Sequence, residues 1–347
     1  AERMAEALGD AVGATVGYRF RGEAKVSKAT RIVVVTEGIL TRMLQSDPSL
    51  DGIGAVIFDE FHERSLNADL GLALTLEARA ALRDDLALVV MSATLDAAPV
   101  AQLLGDAPLL TAVGRAFEVE TRWLEAPLPR DIRLPNAVAD LTLKALSETE
   151  GGVLVFLPGE GEIRRTAALL ANRLPHDTHL HTLFGAMEFK AQRAAIAPAT
   201  QGRKLVLATS IAETSLTISD IRVVVDAGLA RRARFDPNSG MSRLVTDRAS
   251  LAEAEQRRGR AGRVAAGFCY RLWTKGQEGA LPGFAPAEIE TADLTGLALE
   301  LAVWGSDDGL HFLTPPPPGP LAEARSLLHD LGALDAANRI TTHGRAM

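Results

Sequence analysis

The run Ala55-Val56-Ile57-Phe58-Asp59-Glu60-Phe61-His62 decides the architecture. An apolar stretch followed at once by two carboxylates reads as a short apolar strand that delivers its acids to a loop. In a parallel sheet, the carboxyl ends of the strands are where ligands are held. Paired carboxylates at that edge suit a division of labour, in which Asp59 holds a Mg²⁺ ion through water and Glu60 polarises an attacking water. Both are therefore candidate metal residues. Read alone, the pair is as well explained as an ordinary acidic strand-to-loop junction. His62 is either a satisfied loop histidine or, better suited to its position, a link that couples this edge to a neighbouring domain.

On both sides of this run, apolar strands alternate with amphipathic helices, the rhythm of parallel sheets joined by crossover helices. Strands are expected at 15–20, 31–36, 55–59, 87–92 and 109–113. A second series is expected at 118–124, 153–157, 179–183, 204–209, 221–226 and 268–273, with a helix over 160–174. Residues 1–113 and 114–278 are thus expected to form two α/β domains. The rhythm stops after Trp273. Helices expected at 285–303 and 321–331, separated by the prolines at 315–318, predict a small helical third domain over 279–347. The chain opens inside a helical pattern and closes without a turn, so it reads as truncated at both ends.

The chain has 347 residues and is 47% apolar and 23% charged, with a net charge of −7, which excludes a protein that is basic throughout. It leaves local basic patches open. The single cysteine, Cys269, has no internal disulfide partner and lies in an apolar run, so a buried inert thiol is expected. No signal-peptide pattern and no apolar run of about 18 residues occurs, which predicts a soluble cytoplasmic protein with no membrane association.

Further motifs follow in order. Ser92-Ala93-Thr94 closes the strand expected at 87–92. Its hydroxyls suit a facing polar group, or simply a turn. Gln256-Arg257-Arg258-Gly259-Arg260-Ala261-Gly262-Arg263 is the sharpest cationic feature, and Arg260 and Arg263 share a helix face. Guanidinium groups match the oxygens of a transferring phosphate. A solvated basic surface is the alternative, although two glycines within the run are odd for one. From Arg231 to Arg263 nine arginines face four acids. Within that span, residues 233–245 read as a hairpin that either contacts a nucleic-acid strand or is an unremarkable surface ribbon. Thr36 and Gly38 open one helix and Thr209 another, where free N–H groups suit phosphate or ordinary capping. No G-x-x-x-x-G-K-[ST] phosphate loop occurs in the chain.

Together these residues resemble the DEAH-box ATP-dependent helicases of superfamily 2. Phe61, the following Glu63-Arg64-Ser65-Leu66 and Phe156-Leu157-Pro158-Gly159 are most similar to the bacterial HrpB-type branch. The resemblance implies an α/β fold of two RecA-like P-loop NTPase domains, the first one incomplete, followed by a small winged-helix domain. It implies ATP and Mg²⁺ as cofactors, RNA or less directly DNA as partner, and a monomer that couples hydrolysis between the RecA-like domains to movement along a single strand. It assigns Asp59, Glu60, His62, Gln256, Arg260 and Arg263 to catalysis, with both arginines reaching the γ-phosphate. It assigns Ser92 and Thr94 to coupling, Thr217 and Ser219 to the nucleotide, and Arg21, Thr36, Gly38 and Thr209 to the nucleic-acid backbone. Residues 231–247 correspond to a hairpin implicated in strand separation. The family places an acid where Ser219 stands, with Asp220 beside it as a candidate substitute. The family's phosphate loop is expected ahead of Ala1, so residues 1–347 alone are expected to bind ATP poorly and not to hydrolyse it. The alternative is an RNA-binding scaffold with a decayed or truncated motor.

Overall fold

In a computed structural model, residues 1–93, 97–112, 114, 117–213, 218–236, 239–305 and 309–347 are described. They divide into two compact units. One comprises Ala1–Leu109, Phe235–Ser242 and Pro286–Met347; the other comprises Leu110–Arg234 and Arg243–Ala285.

The first unit opens with α1 (Glu2–Ala7), β1 (Val16–Phe20), β2 (Glu23–Lys25), β3 (Ile32–Val35) and α2 (Glu37–Ser46). It continues with β4 (Ala55–Phe58), α3 (Leu66–Leu82), β5 (Ala87–Val90) and α4 (Ala97–Leu103). β1 pairs antiparallel with β2 across the turn at Arg21 and parallel with β3, while β4 and β5 form a separate parallel pair with Phe58 opposite Val90. The expected strand at 109–113 is absent over its described residues. Leu109 and Leu110 stand 64% and 91% exposed. An apolar run without periodicity does not specify a strand when no sheet edge receives it.

The second unit holds β6 (Val119–Leu124), α5 (Leu134–Glu148), β7 (Gly152–Phe156), α6 (Glu160–Leu170), β8 (Thr178–Leu183), α7 (Phe189–Ile196), β9 (Arg203–Ala208) and β10 (Ile221–Asp226). The ribbon β11 (Leu229–Asp236) and β12 (Met241–Arg248) follows, then α8 (Leu251–Gly259), β13 (Gly267–Thr274) and α9 (Lys275–Glu278). Six strands form one parallel sheet in the order β6-β13-β10-β7-β9-β8. β7 is buried along its whole length. That is why it reads as an unbroken apolar run rather than an alternating one. Cys269 of β13 is buried, and burial pushes its thiol up to about 12, so it stays protonated and inert.

The chain then supplies α10 (Glu288–Thr291), α11 (Thr295–Trp304), α12 (Pro318–Asp330) and α13 (Thr342–Ala346). The helix expected at 285–303 is therefore split into two. The proline stretch runs straight into α12, with Pro317 as its N-cap and Pro318 at the first helical position, where the missing N–H costs nothing. These helices share an apolar core with the start of the chain. Ile289, Leu297, Leu301, Leu321 and Leu328 pack in the same cluster as Leu40, Leu44, Phe58, Phe61, Leu72 and Leu74.

Candidate nucleotide and nucleic-acid site

Asp59 and Glu60 leave the carboxyl end of β4 as the sequence predicts. The Glu60 N–H donates to Asp59 Oδ1 at 2.9 Å. Glu60 and Arg64 both adopt left-handed backbone, at φ 52° and 50°, and bracket a single 3-10 turn over Phe61–Glu63. Such conformations cost roughly 1 kcal/mol or more at a non-glycine residue and persist only where surrounding contacts hold them. Those contacts are present. Phe61 is buried edge-on against Phe58, with ring centroids 6.2 Å apart. Its N–H donates to the Met91 carbonyl at 3.0 Å, and the Met91 N–H donates to the Phe58 carbonyl at 2.7 Å.

These bonds carry the end of β5 to the acidic loop, so Ser92 and Ala93 lie beside His62. The Ala93 N–H points to His62 Nδ1 at 3.4 Å, and the same nitrogen lies 3.5 Å from Glu60 Oε2. That ring nitrogen either accepts the amide or, when it carries the ring proton, donates to the carboxylate, so the tautomer of His62 decides which neighbour it serves. Thr94 lies outside the described residues. The exposed carboxylate of Asp59 and the partly exposed Glu60 fit a Mg²⁺ ion held through water, because they offer charged oxygens at a strand end without a closed cage.

Thr36 is the N-cap residue of α2 but makes no side-chain cap bond. Gly38 has open space where a Cβ would stand. Both are exposed, so the start of α2 presents uncapped N–H groups to solvent. Arg21 is exposed in the turn between β1 and β2.

In the second unit, Thr209 follows β9 and also makes no side-chain cap bond. Thr217 lies outside the described residues, and Ser219 is half-buried in the turn before β10. The neighbouring Asp220 accepts the Ala199 N–H at 3.3 Å and, through its carbonyl, the Gly152 N–H at 2.9 Å. Its carboxylate thus bonds the segment that follows α7. Of the hairpin arginines, Arg232 reaches Glu253 at 2.5 Å and Arg234 reaches Asp247 at 3.2 Å. Pro237 and Asn238 of its tip lie outside the described residues.

Gln256 is half-buried on α8. Arg260 is buried, with Nη2 donating to the Glu213 carbonyl, and Arg263 is exposed beyond a 3-10 turn. The residue that sequence reasoning missed is Arg257. It is 1% exposed and binds Glu213 Oε1 at 2.6 Å, Asp226 Oδ1 at 2.8 Å and the Leu229 carbonyl at 3.2 Å, over the Phe156 ring. Burial opposes its charge, but Asp226 and Glu213 more than offset that, so its pKa lies above the usual guanidinium value. Burial pushes Glu213 up to about 7 against the pull of Arg257. One signal was legible: Asp226 follows Val223-Val224-Val225 as Asp59 follows the apolar β4.

The two glycines of this run have different reasons. A Cβ on Gly262 would meet the Phe117 carbonyl oxygen at 2.5 Å, whereas Gly259 has open space around it. Gly262→Ala is expected to cost about 1–3 kcal/mol by overpacking, and Gly259→Ala about 0.5 kcal/mol or less in either direction. Urea denaturation of the two variants checks this; equal effects would mean that close approach at Gly262 does not matter.

Residues 2–103 match the DEAD/DEAH box helicase family, and residues 134–265 match the helicase conserved C-terminal domain. The chain is 49% identical to the ATP-dependent RNA helicase HrpB of Escherichia coli K12, over all of this chain and 43% of that protein. It is 38% identical to the pre-mRNA-splicing factor ATP-dependent RNA helicase prp22 of Schizosaccharomyces pombe, over all of this chain and 30% of that protein. A crystal structure of Escherichia coli DEAH/RHA helicase HrpB superposes with a TM-score of 0.92 at 49% identity, covering 99% of this chain and 44% of that one. The chain thus spans less than half the length of the relatives it matches. The two units carry the RecA-like helicase domains, and the chain belongs to the DEAD/DEAH-box helicase family, in its HrpB-type branch.

Proposed function

We propose that this chain is the motor portion of an ATP-dependent RNA helicase or translocase. The observation that carries the reading is the loop Asp59–His62, locked by Phe61 onto the end of β5 so that its carboxylates and Ser92-Ala93 form one edge. Glu60 polarises the attacking water, and His62 stands between Glu60 and Ala93. Asp59, through water, and Glu60 would hold a Mg²⁺ ion, which would supply charge neutralisation at the phosphates. Gln256, Arg260 and Arg263 stabilise the transferring phosphoryl group, Arg263 from an exposed position and Arg260 from a buried one. Thr217 and Ser219 belong to the nucleotide contacts. Thr36, Gly38, Arg21 and Thr209 hold the backbone of single-stranded RNA, with the uncapped starts of two helical segments as support. Residues 1–113 and 114–278 are read as the RecA-like domains. Residues 279–347 are read as winged-helix in kind, supported by the bridge Leu334–Ile340 after α12. A cytoplasmic monomer fits this reading, and no described helix is long and apolar enough to cross a membrane.

The test is ATP hydrolysis with and without single-stranded RNA, by residues 1–347 and by the full-length protein. Hydrolysis by the full-length protein alone, stimulated by RNA, is the expected result. RNA binding without hydrolysis by either would replace the motor with a scaffold. Stimulation by DNA equal to that by RNA would remove the 2′-hydroxyl from recognition.

A further inference from the structure

The acidic loop is anchored at its far end as well. Ser65 is the N-cap of α3, and its hydroxyl accepts the Ala68 N–H at 3.0 Å. The same hydroxyl donates to Glu37 Oε2 at 2.7 Å. Glu37 stands between Thr36 and Gly38, in the first turn of α2. Glu37 is an exposed residue, but desolvation around its carboxyl raises its pKa, with Glu63, Glu288 and Asp69 adding repulsion, and Ser65 is the neighbour that favours its ionised form. A second set of bonds fixes the adjacent residues. The Arg64 guanidinium holds Asp69 through two bonds of 3.1 Å and reaches Thr314 Oγ1 at 2.8 Å. The Leu66 N–H donates to Glu288 Oε2 at 2.7 Å, and the Glu288 N–H donates to the Arg64 carbonyl at 3.0 Å.

From Glu60 to Ser65 the backbone has little freedom. It is one 3-10 turn between two left-handed non-glycine residues, so displacement at one end is felt at the other. The α2 end of this connection is the face assigned to nucleic acid; the other end is the carboxylate assigned to water.

Resting on the functional reading above, we propose that the Ser65–Glu37 hydrogen bond makes hydrolysis at Glu60 responsive to nucleic acid seated at Thr36 and Gly38. Glu37 and Ser65 are positioning residues: they touch neither nucleotide nor water, and set where Glu60 stands.

The experiment uses the full-length protein. Glu37→Ala removes the acceptor. Ser65→Asp keeps an N-cap oxygen for α3 but sets a carboxylate against Glu37. Glu37→Gln keeps an acceptor and serves as the rescue. Three quantities are read: ATP hydrolysis without and with saturating single-stranded RNA, the RNA Kd, and hydrogen exchange of amides 60–65 with and without RNA. In Glu37→Ala and Ser65→Asp, RNA stimulation is expected to fall by about fivefold or more, the size of a modest coupling between sites. Basal hydrolysis and RNA Kd stay within about threefold, well short of that coupling. RNA slows exchange at 60–65 in the unmodified protein and in Glu37→Gln, but not in the other two variants. Unchanged stimulation in both variants overturns the proposal. So does a parallel fall in basal and stimulated rates, or an effect absorbed entirely in RNA Kd. Lack of stimulation in the unmodified protein overturns the functional reading and the link with it, whereas failure of the link alone appears only in the variants.

Discussion

Replacing Arg257 with alanine should destabilise the second unit by about 3–5 kcal/mol, because it strands buried carboxylates rather than merely removing a contact. Asp226 is fully buried and Glu213 nearly so, and Arg257 is the cation that touches both. The loss is a large share of the roughly 5–15 kcal/mol that holds a typical domain together. It should also depend on pH in a defined direction. In the unmodified protein, burial already holds Glu213 near 7, above its ordinary value. Without the pull of Arg257, the Glu213 carboxyl rises further above its unfolded value. The folded state then binds more protons than the unfolded one, so stability is fullest below the ordinary carboxylate range and is lost as pH rises through the folded value. Urea denaturation at about pH 5 and about pH 8 reads this out, since the direction follows from the linkage. A variant as stable as the unmodified protein at the higher pH would show that the network is not buried as described.

Glu60→Gln, in the full-length protein, should lower RNA-stimulated ATP hydrolysis by about 10²–10⁴-fold, the range for loss of a positioned general base. Glutamine keeps the length of the side chain and one acceptor oxygen, so the left-handed turn at φ 52° and the buried Phe61 remain. What it loses is the charge that polarises water. RNA affinity should hold, because Thr36, Gly38 and Arg21 are untouched. Steady-state hydrolysis and fluorescence anisotropy check the two halves separately. Residual hydrolysis above about a tenth of the unmodified rate would remove Glu60 from the role of base.

Much of this fold was legible because burial on both faces leaves a plain mark. β7, β9 and β10 carry such apolar stretches, β4 is apolar although only Val56 and Phe58 of it are buried, and all four lie within a residue or two of their expected places. β2 was not legible, since its three residues, Glu23 to Lys25, are exposed and exist as a strand only by pairing with β1. The helix expected across 285–303 was split because Ala/Leu-rich composition records burial but not a break in the backbone. At the candidate site, Asp59 and Glu60 could be read as a pair because they are adjacent in sequence. Arg257 did not, because in sequence a buried arginine and an exposed one differ in nothing. Its role depends on Glu213 and Asp226, which are distant in sequence and meet it only through the sheet. The Ser65–Glu37 bond was hidden for the same reason.

The first unit's core has a consequence for how the protein is made. Leu321, Leu328 and Leu334 pack in the same cluster as Leu40 and Leu44. A ribosome adds about 5–20 residues per second. Residues 1–109 must therefore wait, partly uncovered, while the second unit is synthesised and free to fold. Closing so long a loop adds little equilibrium cost, since that cost grows only with the logarithm of length. It does add delay, during which Ile57, Val89 and Met91, still exposed in the folded chain, offer nascent apolar surface to a chaperone.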